Sequence, residues 1–187
     1  ATDGIGIASV LSTFTLSFGP DWSSTPTLTA VTASDGASGD YFGESMDISS
    51  DAAYSIISAT GIGTNVGAAY VYTVNESATF TQQAKLVATD ASNSVYFGDT
   101  CKLNTDGTYA IIGARGETNA SGTAVGAAYI FTRSGTSWSQ QAKISPTSAL
   151  DDGDHFGRPC AISGDGTYAA ISASVYSNPA GYQIGRV

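Results

Sequence analysis

One sequence unit recurs along the chain, at intervals of 55 and 59 residues. Each copy contains a Phe-Gly pair, then an Asp nine residues after the Phe, then two small residues seven residues after the Asp. The pairs are Phe42-Gly43, Phe97-Gly98 and Phe156-Gly157. The first two copies also share the phrases Gly-Ala-Ala-Tyr and Gln-Gln-Ala-Lys. Fixed spacing at this period indicates one supersecondary unit repeated in tandem.

Apolar and polar residues alternate over short spans within each copy, which is typical of half-buried strands. In the second copy the alternation predicts four strands, beginning near Phe97, Tyr109, Ala127 and Trp138. Gly-containing turns separate strands one and two, and strands three and four. A single antiparallel sheet leaves two faces to cover, so the copies must stack face to face. We predict an all-β fold of tandem four-stranded antiparallel blades of propeller type, about three blade equivalents with half-blades at both ends.

The order of these motifs resembles the FG-GAP repeat of the integrin-type β-propeller, which also occurs in many bacterial and phage surface proteins. The resemblance covers about residues 34–187 and implies three blade repeats, at 34–88, 89–147 and, partially, 148–187. Residues 1–33 precede them as apolar strands that look like strands three and four of a unit lacking its first two. The resemblance implies less about activity, because function lies in sites carried by a fold.

Half-units at both ends have three explanations: a piece of a longer chain, a small closed ring, or strand exchange between molecules. A ring is disfavoured because closed propellers usually need about four blades or more. Strand exchange would add the N-terminal strands of one molecule to the last unit of the next, head to tail, and would generate a filament. The candidate partner-binding residues for this homo-oligomer are Ile5, Ile7, Val10, Phe14 and Leu16.

The charge of the chain is strongly acidic, with a net value of −9. This disfavours nucleic acid and anionic membrane surfaces, which bind basic patches. No apolar run reaches the roughly 18 residues that would cross a bilayer. The first residues, from Ala1, lack the basic start of a signal peptide, so an export signal would already have been removed. Low charge content and abundant Gly, Ser and Thr favour an extracellular location: secreted, cell-surface or virion-surface.

No cofactor is predicted. Many members of the family that the chain resembles bind calcium in the turn between strands one and two. Here each of these turns has only one carboxylate: Asp51, Asp106 or Asp165. Calcium prefers six to eight oxygen ligands. A second acidic stretch, 151–154, with Asp35 and Asp40 at the equivalent place of the first copy, could hold a hard cation. We interpret it as a solvated loop, because no ligand spacing recurs in all copies.

Catalytic residues are not predicted either. His155 is the only histidine, the chain has three Glu, and no Gly-x-Ser-x-Gly motif is present. Cys101 and Cys160 occupy the same repeat position, which favours two buried thiols over a disulfide. The Asn-x-Ser sequons at Asn75 and Asn119 are candidate glycosylation sites, since both fall in predicted connections between strands.

Two functions remain open. The first is a non-enzymatic extracellular structural protein that assembles into a filament or surface appendage. The second is an adhesion or ligand-binding propeller module, for a glycan or a protein, within a longer cell-surface or virion protein. A binding module should carry an aromatic or charged cluster on one set of loops. The sequence instead places its aromatics within strands, which favours packing and therefore the structural protein, with the binding module as the alternative: Tyr70, Tyr72, Tyr129, Phe131 and Trp138.

Overall fold

The computed structural model describes residues 13–15, 28–76, 79–146 and 151–175. It contains β1 (Thr13–Thr15), β2 (Leu28–Ala30), β3 (Phe42–Ile48), β4 (Tyr54–Ala59), β5 (Ala68–Val74), β6 (Phe80–Leu86), β7 (Phe97–Leu103), β8 (Tyr109–Ala114), β9 (Ala127–Ser134), β10 (Ser137–Ile144), β11 (Phe156–Ile162) and β12 (Ala169–Ala173). A short segment between β4 and β5, α1 (Ile62–Asn65), has left-handed φ values at Gly63 and Thr64.

The strands form antiparallel sheets in chain order. β3 to β6 make one four-stranded sheet and β7 to β10 make another, while β11 pairs with β12 and β1 with β2. The predicted all-β fold of four-stranded antiparallel blades is confirmed. The proposed boundaries of the blade units and of the segment 1–33 stay a prediction, because most of that segment lies outside the described residues.

Four of the five candidate partner-binding residues, Ile5, Ile7, Val10 and Leu16, also lie outside the described residues. The fifth, Phe14, is in β1, where its backbone is opposite Thr29 of β2. Their role as an assembly surface therefore stays a prediction.

The core lies between the stacked sheets. The two central strands of each complete sheet are buried on both faces, which is why they contain continuous apolar runs such as Ile56-Ile57 and Ile111-Ile112. The Phe of the Phe-Gly pair packs in this core. In the second copy its ring lies edge-on to Tyr129 and Phe131, with centroids 5.4 and 5.9 Å away. The strand aromatics therefore serve packing, as expected.

Neighbouring blades approach closely at the Gly of the Gly-Ala-Ala-Tyr phrase. Gly67 forms a parallel bridge with Phe97, and Gly126 forms the equivalent bridge with Phe156. A Cβ atom at Gly126 would lie 2.1 Å from the carbonyl oxygen of Phe156. The φ of Gly126 is also +90°, a region that side chains disfavour. The two recurring motifs thus meet each other across the blade interface.

A polar clamp joins the outer strand of each complete sheet to the loop before its first strand. In the first copy, Lys85 Nζ lies 2.7 Å from Asp35 Oδ2, and the Tyr70 hydroxyl donates to Asp35 Oδ1 at 2.8 Å. These hydrogen bonds from Lys85 and Tyr70 lower the pKa of Asp35. Gln82 accepts a hydrogen bond from the backbone N–H of Ser34 in the same loop. The clamp explains why the Gln-Gln-Ala-Lys phrase recurs.

The second copy repeats this clamp with Asp90, Tyr129 and Lys143, and adds Glu117. Lys143 Nζ lies 2.6 Å from Asp90 Oδ2 and 2.8 Å from Glu117 Oε1. The Tyr129 hydroxyl donates to Glu117 Oε2 at 3.1 Å. Burial and the two neighbouring carboxylates raise the pKa of Tyr129. Glu117, one of three glutamates with no assigned role, therefore serves as a buried ion-pair partner.

Both cysteines are buried free thiols in the structure. Cys101 is in β7 and Cys160 is in β11, at equivalent places of adjacent sheets. Burial raises the pKa of each thiol to about 12. Thiols with such a pKa carry little thiolate at neutral pH and are poor nucleophiles.

Candidate functional site: a charged rim

A β-bulge interrupts the first strand of the three sheets that begin with a Phe-Gly pair, at the same repeat position. The pairing register shifts after Phe42 in β3, after Phe97 in β7 and after Phe156 in β11. Bulges re-aim the side chains that they carry. The residue that follows Phe-Gly in this bulge is charged in all three copies: Glu44, Asp99 and Arg158.

Asp99 is the centre of the resulting cluster. Its side chain is only 1% exposed, yet it faces two arginines. Arg115 Nη1 donates to Asp99 Oδ1, and Arg158 Nε lies 3.2 Å from Asp99 Oδ2. Oδ2 nevertheless receives no hydrogen bond from the described residues. A buried acceptor without a hydrogen bond costs free energy and calls for an explanation.

Arg115 is also held by an aromatic ring. Its guanidinium carbon lies 4.1 Å from the centroid of the Tyr96 ring, a cation–π contact. The same ring lies against Gly116, where a Cβ atom would be 3.1 Å from Tyr96 Cδ2. Arg115 is therefore fixed from two sides, by the Asp99 carboxylate and by the Tyr96 ring.

The residue before each Phe-Gly pair has a left-handed backbone. The φ values are 55° at Tyr41, 54° at Tyr96 and 58° at His155. This conformation is uncommon for residues other than glycine, and such strain concentrates at functional sites. We call Tyr41, Glu44, Tyr96, Asp99, Arg115, His155 and Arg158 together the charged rim.

The basic groups of the charged rim repel one another, while the negative charge of Glu44 acts on Arg115 in the opposite direction. Burial lowers the pKa of the Arg115 guanidinium, and the positive charge of Arg158 lowers it further. Burial also lowers the pKa of His155, with added repulsion from Arg115 and Arg158. Three basic groups thus lie around one buried acid and disfavour each other's charged forms.

Sequence reasoning missed this cluster. It assigned no catalytic role to His155, and it did not single out Asp99, Arg115 or Arg158. One signal was available: the position after Phe-Gly is Glu, Asp and Arg in successive copies.

The predicted glycosylation sites lie elsewhere. Asn75 and Asn119 are both exposed, in the connections after β5 and after β8. Asn119 Oδ1 accepts hydrogen bonds from the backbone N–H groups of Ser121 and Thr123. Modification of these two asparagines stays a prediction.

The carboxylates of the turns between strands one and two hydrogen-bond within their own turns. Asp165 Oδ1 accepts bonds from Ser163 Oγ at 2.6 Å and from the Thr167 N–H at 3.0 Å, which lower the Asp165 pKa to about 2. Asp51 and Asp106 accept equivalent bonds. In the described part of the chain, no group of three or more His, Cys, Asp or Glu side chains could hold a metal ion.

We therefore expect calcium to leave the stability of the chain unchanged. The thermal unfolding midpoint, measured by circular dichroism, should be the same in millimolar calcium chloride and in EDTA, since a ligand stabilises only a state that binds it. Magnesium chloride at the same ionic strength is the control. A midpoint that rises with calcium and not with magnesium would show a calcium site.

The stacked blades and the charged rim at the start of their first strands define a repeat protein of the β-propeller class. A profile of the FG-GAP repeat matches residues 22–72, 80–131 and 138–187, which is most of the chain. The chain belongs to the FG-GAP repeat family. The second match begins at the first residue of the outer strand β6, and the third begins one residue into the outer strand β10. The family repeat therefore runs from one blade into the next. A search of curated proteins finds no match.

Membership in this family has two general consequences. The FG-GAP propeller is a non-catalytic, ligand-binding fold, and its repeats are typical of extracellular proteins. Within the described residues, no helix has the length and apolar character needed to span a membrane.

Proposed function

We propose that this chain is a non-enzymatic ligand-binding module of an extracellular adhesion protein, with the charged rim as its binding surface. The observation that carries the proposal is the convergence of Asp99, Arg115 and Arg158 from two blades on one edge of the stack. The family fold, which is a ligand-binding fold, supports it. The rim supplies the charged and aromatic cluster that sequence analysis required of a binding module.

Binding by the purified chain to a glycan array and to extracellular matrix proteins tests this function. Tyr41 is 61% exposed on the rim, and Tyr41→Ala should weaken binding to any ligand found. Tyr168 is 77% exposed next to the turn between strands one and two, at the opposite end of the blade, so Tyr168→Ala is the matched control. Equal loss of binding in both variants would place the ligand elsewhere.

Filament assembly is not supported by the findings. The strands proposed to exchange between molecules lie mostly outside the described residues, so nothing in the described part favours that function. Light scattering on the purified chain distinguishes the two: a compact monodisperse particle is expected for a binding module, and a particle that grows with concentration for a filament.

Glycosylation of Asn75 and Asn119 is expected when the chain is exported by a host that glycosylates Asn-x-Ser, because both asparagines are exposed. Intact mass should fall on treatment with an N-glycosidase. Asn75→Gln and Asn119→Gln should each remove one glycan. An unchanged mass after enzyme treatment would contradict the prediction.

A further inference from the structure

We propose that the charged rim binds the carboxylate group of an acidic sugar residue, with Arg158 as its main contact. This inference rests on the proposed ligand-binding function and specifies the chemistry of the ligand. A carboxylate is planar and accepts two parallel hydrogen bonds from a guanidinium group.

Arg158 has donors available for such a ligand. Its side chain is 49% exposed, and its contact with Asp99 uses Nε alone. No hydrogen bond within the described residues uses its two Nη groups. Asp99 lies almost fully buried beneath it and orients the guanidinium, so the exposed edge is held in place before a ligand arrives. Such preorganisation reduces the entropy cost of binding.

The charge distribution selects an anion at this place. The chain has a net charge of −9, yet two of its four arginines converge on one buried carboxylate. A bound negative charge would reduce the repulsion between these arginines, which adds to burial in lowering the pKa of Arg115 and of His155. The other rim acid, Glu44, is exposed and lies in no ion pair with the described residues; its charge acts on Arg115, which leaves Arg158 as the contact for a ligand. The site can therefore accept one anionic group.

A sugar suits the rim better than a protein surface does. Protein interfaces depend on aromatic and aliphatic anchors buried together at their centre. In the described residues, the large apolar side chains that are well exposed are Tyr41, Val87 and Tyr168, and only Tyr41 belongs to the rim. The Tyr41 ring lies against Gly61, where a Cβ atom would be 2.7 Å from Tyr41 Cδ2. Tyr41 lies in the first copy and Arg158 in the third, so the exposed Tyr41 ring offers a flat platform for the C–H face of a different pyranose of the same oligosaccharide.

Isothermal titration with an oligosaccharide of glucuronic acid, compared with the same oligosaccharide after reduction of its carboxyl groups, tests the proposal. We expect the acidic form to bind and the reduced form to bind at least tenfold more weakly. Arg158→Ala should weaken binding about 10- to 100-fold, the size expected for losing hydrogen bonds to a charged group. Arg158→Lys keeps the charge and loses the planar fork, so it should give an intermediate affinity.

Lys102→Ala is the control. Like Arg158→Ala, it removes one positive charge, but from β7. Lys102 Nζ lies 3.5 Å from Asp47 Oδ1, away from the rim. Thermal unfolding shows whether each variant is folded.

Equal binding of the acidic and the reduced sugar, or equal losses of affinity in Arg158→Ala and Lys102→Ala, would overturn the proposal. Binding of a glutamate-rich peptide in place of either sugar would also overturn it. If the peptide binds at the rim, or if a neutral glycan does, the proposed ligand-binding function still holds although the acidic-sugar proposal fails. Binding of no ligand at the rim would remove both.

Discussion

Replacing Gly126 by Ala is expected to destabilise the chain by about 3 kcal/mol or more, the range of mutations that force strain into a packed core. The added Cβ atom would lie 2.1 Å from the carbonyl oxygen of Phe156, which is backbone and cannot rotate away. The blade that begins with Phe156 would have to move. Urea denaturation followed by tryptophan fluorescence or circular dichroism measures the loss.

Gly122→Ala is the matched control for this prediction. Gly122 has a similar φ, +81° against +90°, but no atom lies within 4 Å of its Cβ position. Its substitution should cost about 1 kcal/mol, from backbone strain alone. If the two variants lost equal stability, close approach between blades would not be the reason for the Gly of Gly-Ala-Ala-Tyr.

Replacing Asp99 by Ala should cost about 1.5 to 3 kcal/mol, the usual contribution of a hydrogen bond between charged groups. Arg115 would keep its partly buried charge without its carboxylate partner, and Arg158 would lose its neighbour as well. The free energy of unfolding at neutral pH, from urea denaturation, is the measurement. Screening by salt should be weak, because the Asp99 side chain is only 1% exposed.

Glu44→Ala tests whether the effect belongs to Asp99 or to any acid at this position. Glu44 occupies the equivalent place in β3 but is exposed. Its substitution should change the free energy of unfolding by about 0.5 kcal/mol or less. A loss at Asp99 no larger than the loss at Glu44 would show that the ion pairs at the rim contribute little to stability.

Much of the fold could be predicted because its determinants are local. The spacing from Phe97 through the Asp106 turn to Gly126 specifies strand, turn and strand within one unit, and the period of two assigns faces to side chains. The aromatics Tyr70, Tyr129 and Phe131 were expected to pack within the sheets, and they do. Repetition of the unit predicted stacking, because one sheet cannot cover both of its own faces.

The charged rim and the polar clamps could not be predicted in this way. Asp99 and Arg158 are 59 residues apart and meet only because a bulge re-aims each side chain at the start of adjacent inner strands. Glu117 and Lys143 likewise meet only because the outer strand β10 runs antiparallel alongside β9. The amino-acid sequence by itself determined the repeating unit, its strands and its core, because these depend on neighbours within a few residues. Only the tertiary structure decided which charges converge, since that depends on how one blade is placed against the next.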